Sequence, residues 1–266
     1  MAVRVQDVVD ALEERRADEA SPNGADRLLF GDASAEVTGI AVTFMATLEV
    51  LEQAHAFGAN LVISHEGVFY SHHHVLPVQE EEPVYHAKLE AITSLGLAVY
   101  RYHDGVHRQG IDGIMEGLVQ ALGWEGFVES HEPAAAVVSL PPCTVGELAE
   151  HVKRRLGLGM LRAVGNPAMT CSRVGLLVGY RGGGGLAIPL FERHRLDAVI
   201  YGEGPEWETP EYVRDAAHAG QAKALLVLGH AESEQPGMRL LADRLADRFP
   251  SVPVHFVPVA PVFTLL

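Results

Sequence analysis

The stretch Asn60-Leu-Val-Ile-Ser-His-Glu66 is the starting point for predicting the fold class. It joins a short apolar run to two ionisable residues. Its apolar half predicts a short buried strand at residues 60–64, and the polar residues after it predict a loop from residue 66 to about residue 82. Before it, a strand is predicted at residues 37–44 and an amphipathic helix at residues 46–57, ending at Gly58. This order of strand, helix and strand is typical of parallel sheets covered by helices.

The same alternation continues outward along the chain from this segment. Further helices are predicted at residues 5–16, 84–95, 111–122, 144–157, 186–194, 208–219 and 236–248. Further strands are predicted at residues 97–102, near 134, and at 173–178, 197–201, 223–228 and 254–257. We therefore predict an α/β fold of two related lobes, residues 1–130 and 131–266, with mostly parallel sheets covered by helices. We expect the ends of both lobes to contribute to one metal site between them.

The composition excludes several classes of protein. The 266 residues include 20 Lys and Arg against 35 Asp and Glu, a formal net charge of −15, and 48% of them are hydrophobic. An acidic surface repels a phosphate backbone, so we expect no nucleic-acid partner. Apolar runs stay short of the roughly 20 residues of a membrane span, and the N-terminus lacks the features of a signal peptide. We therefore expect a cytoplasmic protein without a membrane partner. Cys143 and Cys171 provide neither a disulfide framework nor a Cys-based zinc site.

Histidines cluster in the first half of the chain. Seven of the 14 fall within 43 residues, at positions 65, 72, 73, 74, 86, 103 and 107. Four predicted strands also run into residues that bind metals, namely His65-Glu66, His103-Asp104, Glu203 and His230. Ligand sites of open α/β sheets form beyond the carboxyl ends of the strands, so these four endings predict a shared metal site.

Two residue pairs have the i, i+4 spacing of one helix face. His230 and Glu234 face the same way if the turn after the strand is helical, and a helix N-terminus favours a carboxylate. Alternatively, Glu234 only caps the helix and His230 only ends the strand. His103 and His107 have the same spacing, but a turn in which Asp104 bonds to backbone N–H groups fits equally well.

Two further motifs admit a structural or a functional interpretation. His72-His-His74 is either a solvated loop or a carrier of metal ions or protons. The four glycines at 182–185 form either a flexible turn or a phosphate cradle, although the residues that complete a P-loop or a Rossmann turn are missing. A Gly-x-Ser-x-Gly elbow is also missing from the sequence, so nucleophilic catalysis has little support.

The order and spacing of these segments resemble the NIF-three-like family of dinuclear-metal-centre proteins, often labelled type-2 GTP cyclohydrolase I. The resemblance covers nearly the whole chain. The matching segments are Asn-Leu-Val-Ile-Ser-His65-Glu66-Gly-Val-Phe, Tyr-Arg-Tyr-His103-Asp-Gly-Val-His107, Gly-Ile-Asp-Gly-Ile-Met-Glu-Gly-Leu-Val-Gln-Ala-Leu-Gly-Trp, Asp197-Ala-Val-Ile-Tyr-Gly-Glu203 and, most specific, Leu-Gly-His230-Ala-Glu-Ser-Glu234. The chain departs from the family pattern twice: Glu66 replaces a second histidine, and His107 stands where the family has an aspartate ligand.

The resemblance implies two divalent ions per chain. The implied ligands are three histidines and two carboxylates: His65, Glu66, His107, His230 and Glu234. A neutral imidazole does not bridge two ions, so Glu234, Glu66 or Asp104 is expected to supply the bridge. Imidazole and carboxylate ligands suit Zn, Fe, Mn, Co or Ni. The resemblance also implies self-association into a toroidal homohexamer with its sites facing an internal cavity.

These expectations favour a metal-dependent hydrolase acting on a small molecule. Paired ions hold a water as hydroxide near neutral pH. Glu203 or His103 would relay protons, with Glu203 preferred because it too follows a strand end. The family label points to GTP ring opening, which the net charge of −15 disfavours unless metals or arginines compensate. The alternatives are a metal-binding or metal-delivery protein, and a regulatory or scaffold protein in which metal only stabilises the fold.

Overall fold

The computed structural model describes residues 2–14, 24–72 and 82–264. The helices are α1 (Val5–Glu13), α2 (Leu48–Ala56), α3 (Pro83–Ser94), α4 (Asp104–His107), α5 (Gly113–Leu122), α6 (Val145–Leu156), α7 (Gly184–His194), α8 (Thr209–His218) and α9 (His230–Arg248). The strands are β1 (Arg27–Phe30), β2 (Ile40–Thr43), β3 (Leu61–Ser64), β4 (Ala98–Arg101), β5 (Val128–Glu132), β6 (Ala135–Thr144), β7 (Arg162–Val164), β8 (Thr170–Leu177), β9 (Ala198–Tyr201), β10 (Ala224–Val227) and β11 (Val254–Phe256). A short 3-10 helix spans Glu125–Phe127. The chain forms two compact units, Met1–Gly113 with Met238–Leu266, and Ile114–Gly237.

The sheet of the first unit is mostly parallel. Its strand order is β1-β4-β3-β2-β11, in which only the edge strand β1 runs antiparallel to its neighbour. Strands β2, β3 and β4 are buried along their whole length, as expected for the central strands of a parallel sheet. Because β3 and β4 are parallel neighbours, the segments that follow them leave the sheet at the same edge.

The sheet of the second unit has a parallel centre. Its strand order is β5-β6-β8-β9-β10-β7, and β8, β9 and β10 are parallel and connected through α7 and α8. Strands β5 and β6 form an antiparallel pair, β6 is antiparallel to β8, and β7 is an antiparallel edge. Two sheets with flanking helices confirm the predicted α/β fold class. Among the described residues, no helix is both long and apolar enough to cross a membrane.

The start of α9 differs from the sequence prediction. Helix α9 begins at His230, six residues before the predicted start, and Pro236 lies inside it. Proline is favoured in the first helical turn, but here the helix already runs for six residues before Pro236. The earlier start matters for the site, because it places His230 and Glu234 on the same helix.

Edge strands were also missed. Strands β1, β5 and β7 have three to five residues, some of them exposed. They therefore contain no continuous apolar run, and their alternation of apolar and polar residues is too short to identify a strand. The C-terminal strand β11 pairs with β2, with Val254 opposite Ile40. The segment Met238–Leu266 therefore belongs to the first unit. The sequence suggested instead a single boundary between two lobes near residue 130. A domain boundary at residue 130 stays a prediction.

Helices α5 and α9 make a close backbone contact within the second unit. A Cβ atom on Gly117 would lie 2.4 Å from the Cα atom of Gly237. A Cβ atom on Gly237 would lie 2.4 Å from the Cα atom of Ile114. The two glycines therefore let the helices approach more closely than any side chain would allow.

We expect Gly117→Ala to lower the free energy of unfolding by about 1–3 kcal/mol, because the added methyl group pushes two packed backbones apart. Urea denaturation followed by circular dichroism measures the change. Gly126→Ala is the matched control, since a Cβ atom on Gly126 meets nothing within 4 Å. Equal losses in the two variants would contradict the close contact.

Candidate metal centre

Three histidines of the first unit follow neighbouring strands. His65 comes directly after β3, and His103 comes two residues after the end of β4. Ser64 lies opposite Arg101 in the parallel pair of strands, so both histidines emerge at the same edge of the sheet. The single helical turn α4 then brings His107 beside them, four residues after His103.

These three histidines, here called the inner group, form a compact cluster. The ring centroids are 4.6 Å apart for His65 and His103, 5.1 Å for His65 and His107, and 5.2 Å for His103 and His107. One nitrogen of each ring lies within 4.8 Å of the others. Nitrogen ligands sit about 2.0–2.1 Å from a zinc ion, which places two ligands of one ion no more than about 4 Å apart. The spacing of the inner group is therefore close to that of a coordination sphere.

Hydrogen bonds fix the tautomer of every ring in the inner group. The Nδ1 atom of His65 lies 3.1 Å from the backbone oxygen of Tyr102. The Nδ1 atom of His103 lies 3.0 Å from Oδ1 of Asp104, and that of His107 lies 3.0 Å from both carboxylate oxygens of Asp112. These oxygens only accept, so each Nδ1 carries the proton and each Nε2 keeps its lone pair.

The inner group is poor in positive charge. Burial, with smaller contributions from His65 and His107, lowers the pKa of His103 to about 3. The imidazole of His103 is therefore neutral at pH 7, the form in which histidine binds metals. Three rings whose lone pairs are oriented by acceptors at Nδ1 are a donor set that fits a divalent transition-metal ion.

Two aspartates build the turn that carries His103 and His107. The Asp26 carboxylate accepts hydrogen bonds from the backbone N–H groups of His103, Asp104 and Gly105 at 2.6–2.8 Å. Asp104 bonds to the His103 ring and also accepts from the Ala25 N–H at 3.2 Å. Asp104 thus orients a histidine, and its expected role as a metal ligand or bridge stays a prediction.

Glu66 belongs to a second cluster in the first unit. Glu66, His72 and His103, here called the outer group, each offer a ligand atom within 4.8 Å of the others. The Oε1 atom of Glu66 lies 3.7 Å from Nε2 of His103, and Oε2 lies 3.2 Å from Nη2 of Arg101. Of the predicted His72-His-His74 motif, residues 73 and 74 lie outside the described residues.

The buried side chain of Arg101 ties the segment after β3 to the sheet. Its Nε donates to the backbone oxygen of His65 at 3.3 Å, and its Nη1 donates to that of His72 at 2.7 Å. Its Nη2 lies 3.0 Å from Nδ1 of His72. The sequence suggested Arg101 only as a charge that could balance a polyanion, and its structural role was not predicted because its contacts come from residues 29–36 positions away.

The second unit brings Glu203, His230 and Glu234 together. Nε2 of His230 lies 3.2 Å from Oε2 of Glu234, so the predicted i, i+4 pair does face one way on α9. Nδ1 of His230 lies 2.9 Å from Oε1 of Glu203. Glu203, expected as a proton relay, therefore contacts the ring nitrogen opposite the one near Glu234, as a carboxylate that orients a ligand does. Its catalytic role stays a prediction.

The backbone after β8 lies directly against this pair. Gly179 has φ +57°, and a Cβ atom there would lie 2.2 Å from Oε1 of Glu234. The Gly179 N–H donates to Oγ of Ser233 at 2.9 Å, and that hydroxyl donates to the His230 backbone oxygen at 2.8 Å. A glycine at position 179 thus allows the strand end to approach the carboxylate.

The glycines at 182–185 form a turn that a carboxylate occupies. The N–H of Gly184, in the first turn of α7, donates to Oε2 of Glu208 at 2.6 Å. The hydroxyl of Thr209 donates to the backbone oxygen of Gly182 at 2.7 Å. Because Glu208 already satisfies the helix N-terminus, the structure favours the turn over the phosphate cradle.

We expect Asp112→Ala to weaken binding of Co²⁺ or Zn²⁺ by about 10–100-fold, because His107 loses the acceptor that orients its ring. Competition with a chromophoric chelator measures the dissociation constant. Asp112→Asn is the matched variant, since its amide oxygen still accepts from Nδ1, and it should retain most of the affinity. An unchanged affinity in Asp112→Ala would contradict the orienting role.

Lys88 of α3 holds the segment that follows Glu66. It is buried, its Nζ donates to the backbone oxygen of Val68, and it lies 4.8 Å from the ring centre of Tyr70. Burial lowers the pKa of Lys88 to about 8. An unfolded lysine titrates near pH 10.4, so between these values the unfolded chain binds more protons and stability rises with pH.

The pH dependence of the unfolding free energy therefore tests whether the pKa of Lys88 is lowered in the folded protein. The unfolding free energy of the wild type, relative to that of Lys88→Met, is expected to increase from pH 8 to pH 10. Denaturant titrations at a series of pH values measure this difference. Lys153→Met, at a partly exposed position of α6, is the control for losing a lysine. A difference that stays constant across this range would exclude a lowered pKa at Lys88.

Solved structures share the fold over nearly the whole chain. Staphylococcus aureus hypothetical protein SA1388 is 16% identical, with a TM-score of 0.78 and coverage of 100% of both chains. A Bacillus cereus protein related to NIF3 is 15% identical, with a TM-score of 0.78 over 100% of this chain and 99% of the other. Protein ybgI, described as of unknown function, is 23% identical, with a TM-score of 0.77, and the match covers 97% of this chain and 99% of ybgI. These similarities show the fold alone. No curated protein matches the sequence.

The sequence itself identifies the family. A family model described as Duf34/NIF3 (NGG1p interacting factor 3) matches residues 3–261. The match includes the inner group, the outer group and the His230–Glu234 pair, and it confirms the resemblance found in the sequence. The chain therefore belongs to the Duf34/NIF3 family.

Proposed function

We propose that this protein is a metal-dependent hydrolase of the cyclohydrolase type that holds two divalent transition-metal ions per chain. Family membership and the His/Glu clusters fit a metal-binding protein. The observation that carries the proposal is the inner group, in which three histidines lie together with an oxygen acceptor at each Nδ1, so that Nε2 is the metal-binding nitrogen of each neutral ring. The metal is Zn, Fe, Mn, Co or Ni, since imidazole and carboxylate ligands suit each of these.

The two ions would draw on the donors of both units. His65, His103 and His107 would hold one ion, and His230 and Glu234 would contribute to the other, with Glu66 or Glu234 as the bridge. His103 then acts as a ligand, which competes with its expected role as a proton relay. That the two sets of donors form one shared site stays a prediction.

A bound divalent ion would supply a hydroxide near neutral pH and polarise the bond under attack. The protein's own task is to hold protons at fixed positions. Glu203 lies at Nδ1 of His230 with its side chain 43% exposed, so this carboxylate can exchange a proton with solvent. The Glu66 carboxylate is held by Arg101 at one oxygen, and its other oxygen lies 3.7 Å from Nε2 of His103.

We propose a small-molecule substrate with a hydrolysable ring C–N bond, as in a cyclohydrolase reaction. GTP is less favoured than an uncharged ring because Arg101, one of the arginines expected to balance a polyanion, is bonded to Glu66 and to two backbone oxygens. The net charge of −15 adds to this preference. We further propose a homohexamer in the cytoplasm, which rests on the family resemblance and the acidic composition.

A second candidate function is non-enzymatic metal binding and delivery. The partly exposed outer group favours it, because His72 has 47% of its side chain exposed and lies next to the buried inner group. A carrier would release its ion to an acceptor and hydrolyse nothing, whereas a hydrolase would retain the ion through many turnovers.

Metal content per chain tests the proposal. Plasma mass spectrometry of protein loaded with metal and desalted should find about two ions per chain, and His65→Ala and Glu234→Ala should each lose at least one. Loaded protein should then hydrolyse a cyclic amide or amidine in a substrate screen. His131→Ala, a histidine of β5 outside both groups, is the control and should keep its metal. Metal without turnover would favour delivery, and no bound metal would refute both functions.

A further inference from the structure

The inner and outer groups share one residue, His103. In the first unit, the inner group has His65 and His107 besides His103, and the outer group has Glu66 and His72. The His103 ring is stacked on that of His65 with centroids 4.6 Å apart, and it meets the His72 ring edge-on at 4.8 Å. His103 therefore lies between the two clusters.

Exposure increases from the inner group to the outer group. The side chain of His65 is fully buried, that of His103 is 18% exposed, and that of His72 is 47% exposed. An ion that reaches the inner group exchanges its bound waters for protein ligands one after another. Residues with increasing burial provide this exchange in steps.

His103 can serve only one ion at a time. Its Nδ1 donates to Asp104, so Nε2 is its one metal-binding nitrogen. Occupation of the outer group through His103 and occupation of the inner group through His103 therefore exclude each other. An ion held by the outer group would move inward by keeping His103 as a ligand. His65 and His107 would then replace Glu66 and His72.

Arg101 makes the outer group a weak cation site. Its guanidinium is fully buried, and its Nη2 lies 3.2 Å from Oε2 of Glu66 and 3.0 Å from Nδ1 of His72. An arriving ion meets a fixed positive charge, and it competes with that charge for the same carboxylate and ring. In the inner group, the described hydrogen bonds at Nδ1 of the three rings are to oxygen atoms, which do not compete with an ion for Nε2. An ion is thus held only briefly outside and more firmly inside.

We propose that Glu66, His72 and His103 form a loading site, which captures a divalent ion from solvent and passes it to His65, His103 and His107. This inference rests on the metal binding of the proposed function. His72 is a ligand only during loading, and Arg101 keeps the ion from remaining in the outer group.

Stopped-flow loading with Co²⁺ alone tests the proposal. Metal-free full-length protein is mixed with excess Co²⁺, and the visible absorption bands of the bound ion report its arrival in the inner group. We expect His72→Ala to lower the loading rate about tenfold, because the outer group loses one of the ligands that capture the ion. The final number of ions and the dissociation constant should not change. His86→Ala, which removes an exposed histidine of α3, should load at the wild-type rate.

The outcomes separate this inference from the proposed function. Equal loading rates in His72→Ala and the wild type would overturn the loading site and leave metal binding intact. Loss of affinity in proportion to the loss of rate would make His72 a permanent ligand, which also overturns it. Failure of the wild type to bind Co²⁺ would overturn both proposals.

Arg101→Gln provides a second, independent test. Without the guanidinium the outer group should hold Co²⁺ longer, so loading should acquire a slow second phase. Arg101→Lys keeps the positive charge and should load in one phase. Thermal denaturation by circular dichroism first establishes that each variant is folded. One-phase loading in folded Arg101→Gln would contradict the competition between Arg101 and the ion.

Discussion

The candidate site of the first unit depends on hydrogen bonds at the Nδ1 atoms of His65, His103 and His107. A neutral imidazole has one donor and one acceptor nitrogen, and an oxygen partner at Nδ1 decides which is which. In all three rings the partner at Nδ1 is an oxygen that accepts: the backbone oxygen of Tyr102 and the carboxylates of Asp104 and Asp112. Without them each ring would exchange between tautomers and rotate, and the group would lose its shared direction.

Burial explains how His103 can be packed against other ionisable groups. Histidines a few ångströms apart repel one another when protonated, and burial adds to the cost of charge. Burial lowers the pKa of His103, so this ring avoids the cost by remaining neutral. The Asp104 carboxylate opposes the shift, because it stabilises the protonated ring, but in the neutral ring it holds the proton on Nδ1. Charge is instead concentrated in the Glu66–Arg101 pair, where opposite signs are in contact.

The positions of the site residues could be predicted better than their roles. His65, His103 and His230 were found because apolar runs end beside them, and parallel strands carry such ends to one edge. Glu203 was found in the same way, but its contact with Nδ1 of His230 depends on side-chain geometry. Asp26 gave no signal, since it lies in a polar loop 77 residues from the N–H it accepts from.

For the fold as well, features that depend on contacts between residues distant in sequence were not predicted. Buried strands were predicted from their continuous apolar runs, and amphipathic helices from the helical period of their apolar residues. The short edge strands and the pairing of β11 with β2 depend on partners distant in sequence, and a local pattern holds no information about them. The start of α9 at His230 was missed as well, and Pro236, a residue favoured at helix starts, lies inside the helix.

The pairing of β11 with β2 also sets an order of events during synthesis. Residues 254–256 leave the ribosome after the whole second unit, so β2 has an open edge for more than 200 residues of translation. An unpaired strand edge invites pairing with other chains. The second unit has all its strands within residues 128–227 and can complete its sheet earlier. The nascent chain thus passes through a stage in which the sheet that carries His65 and His103 has an unpaired edge, and such edges make folding intermediates prone to aggregation.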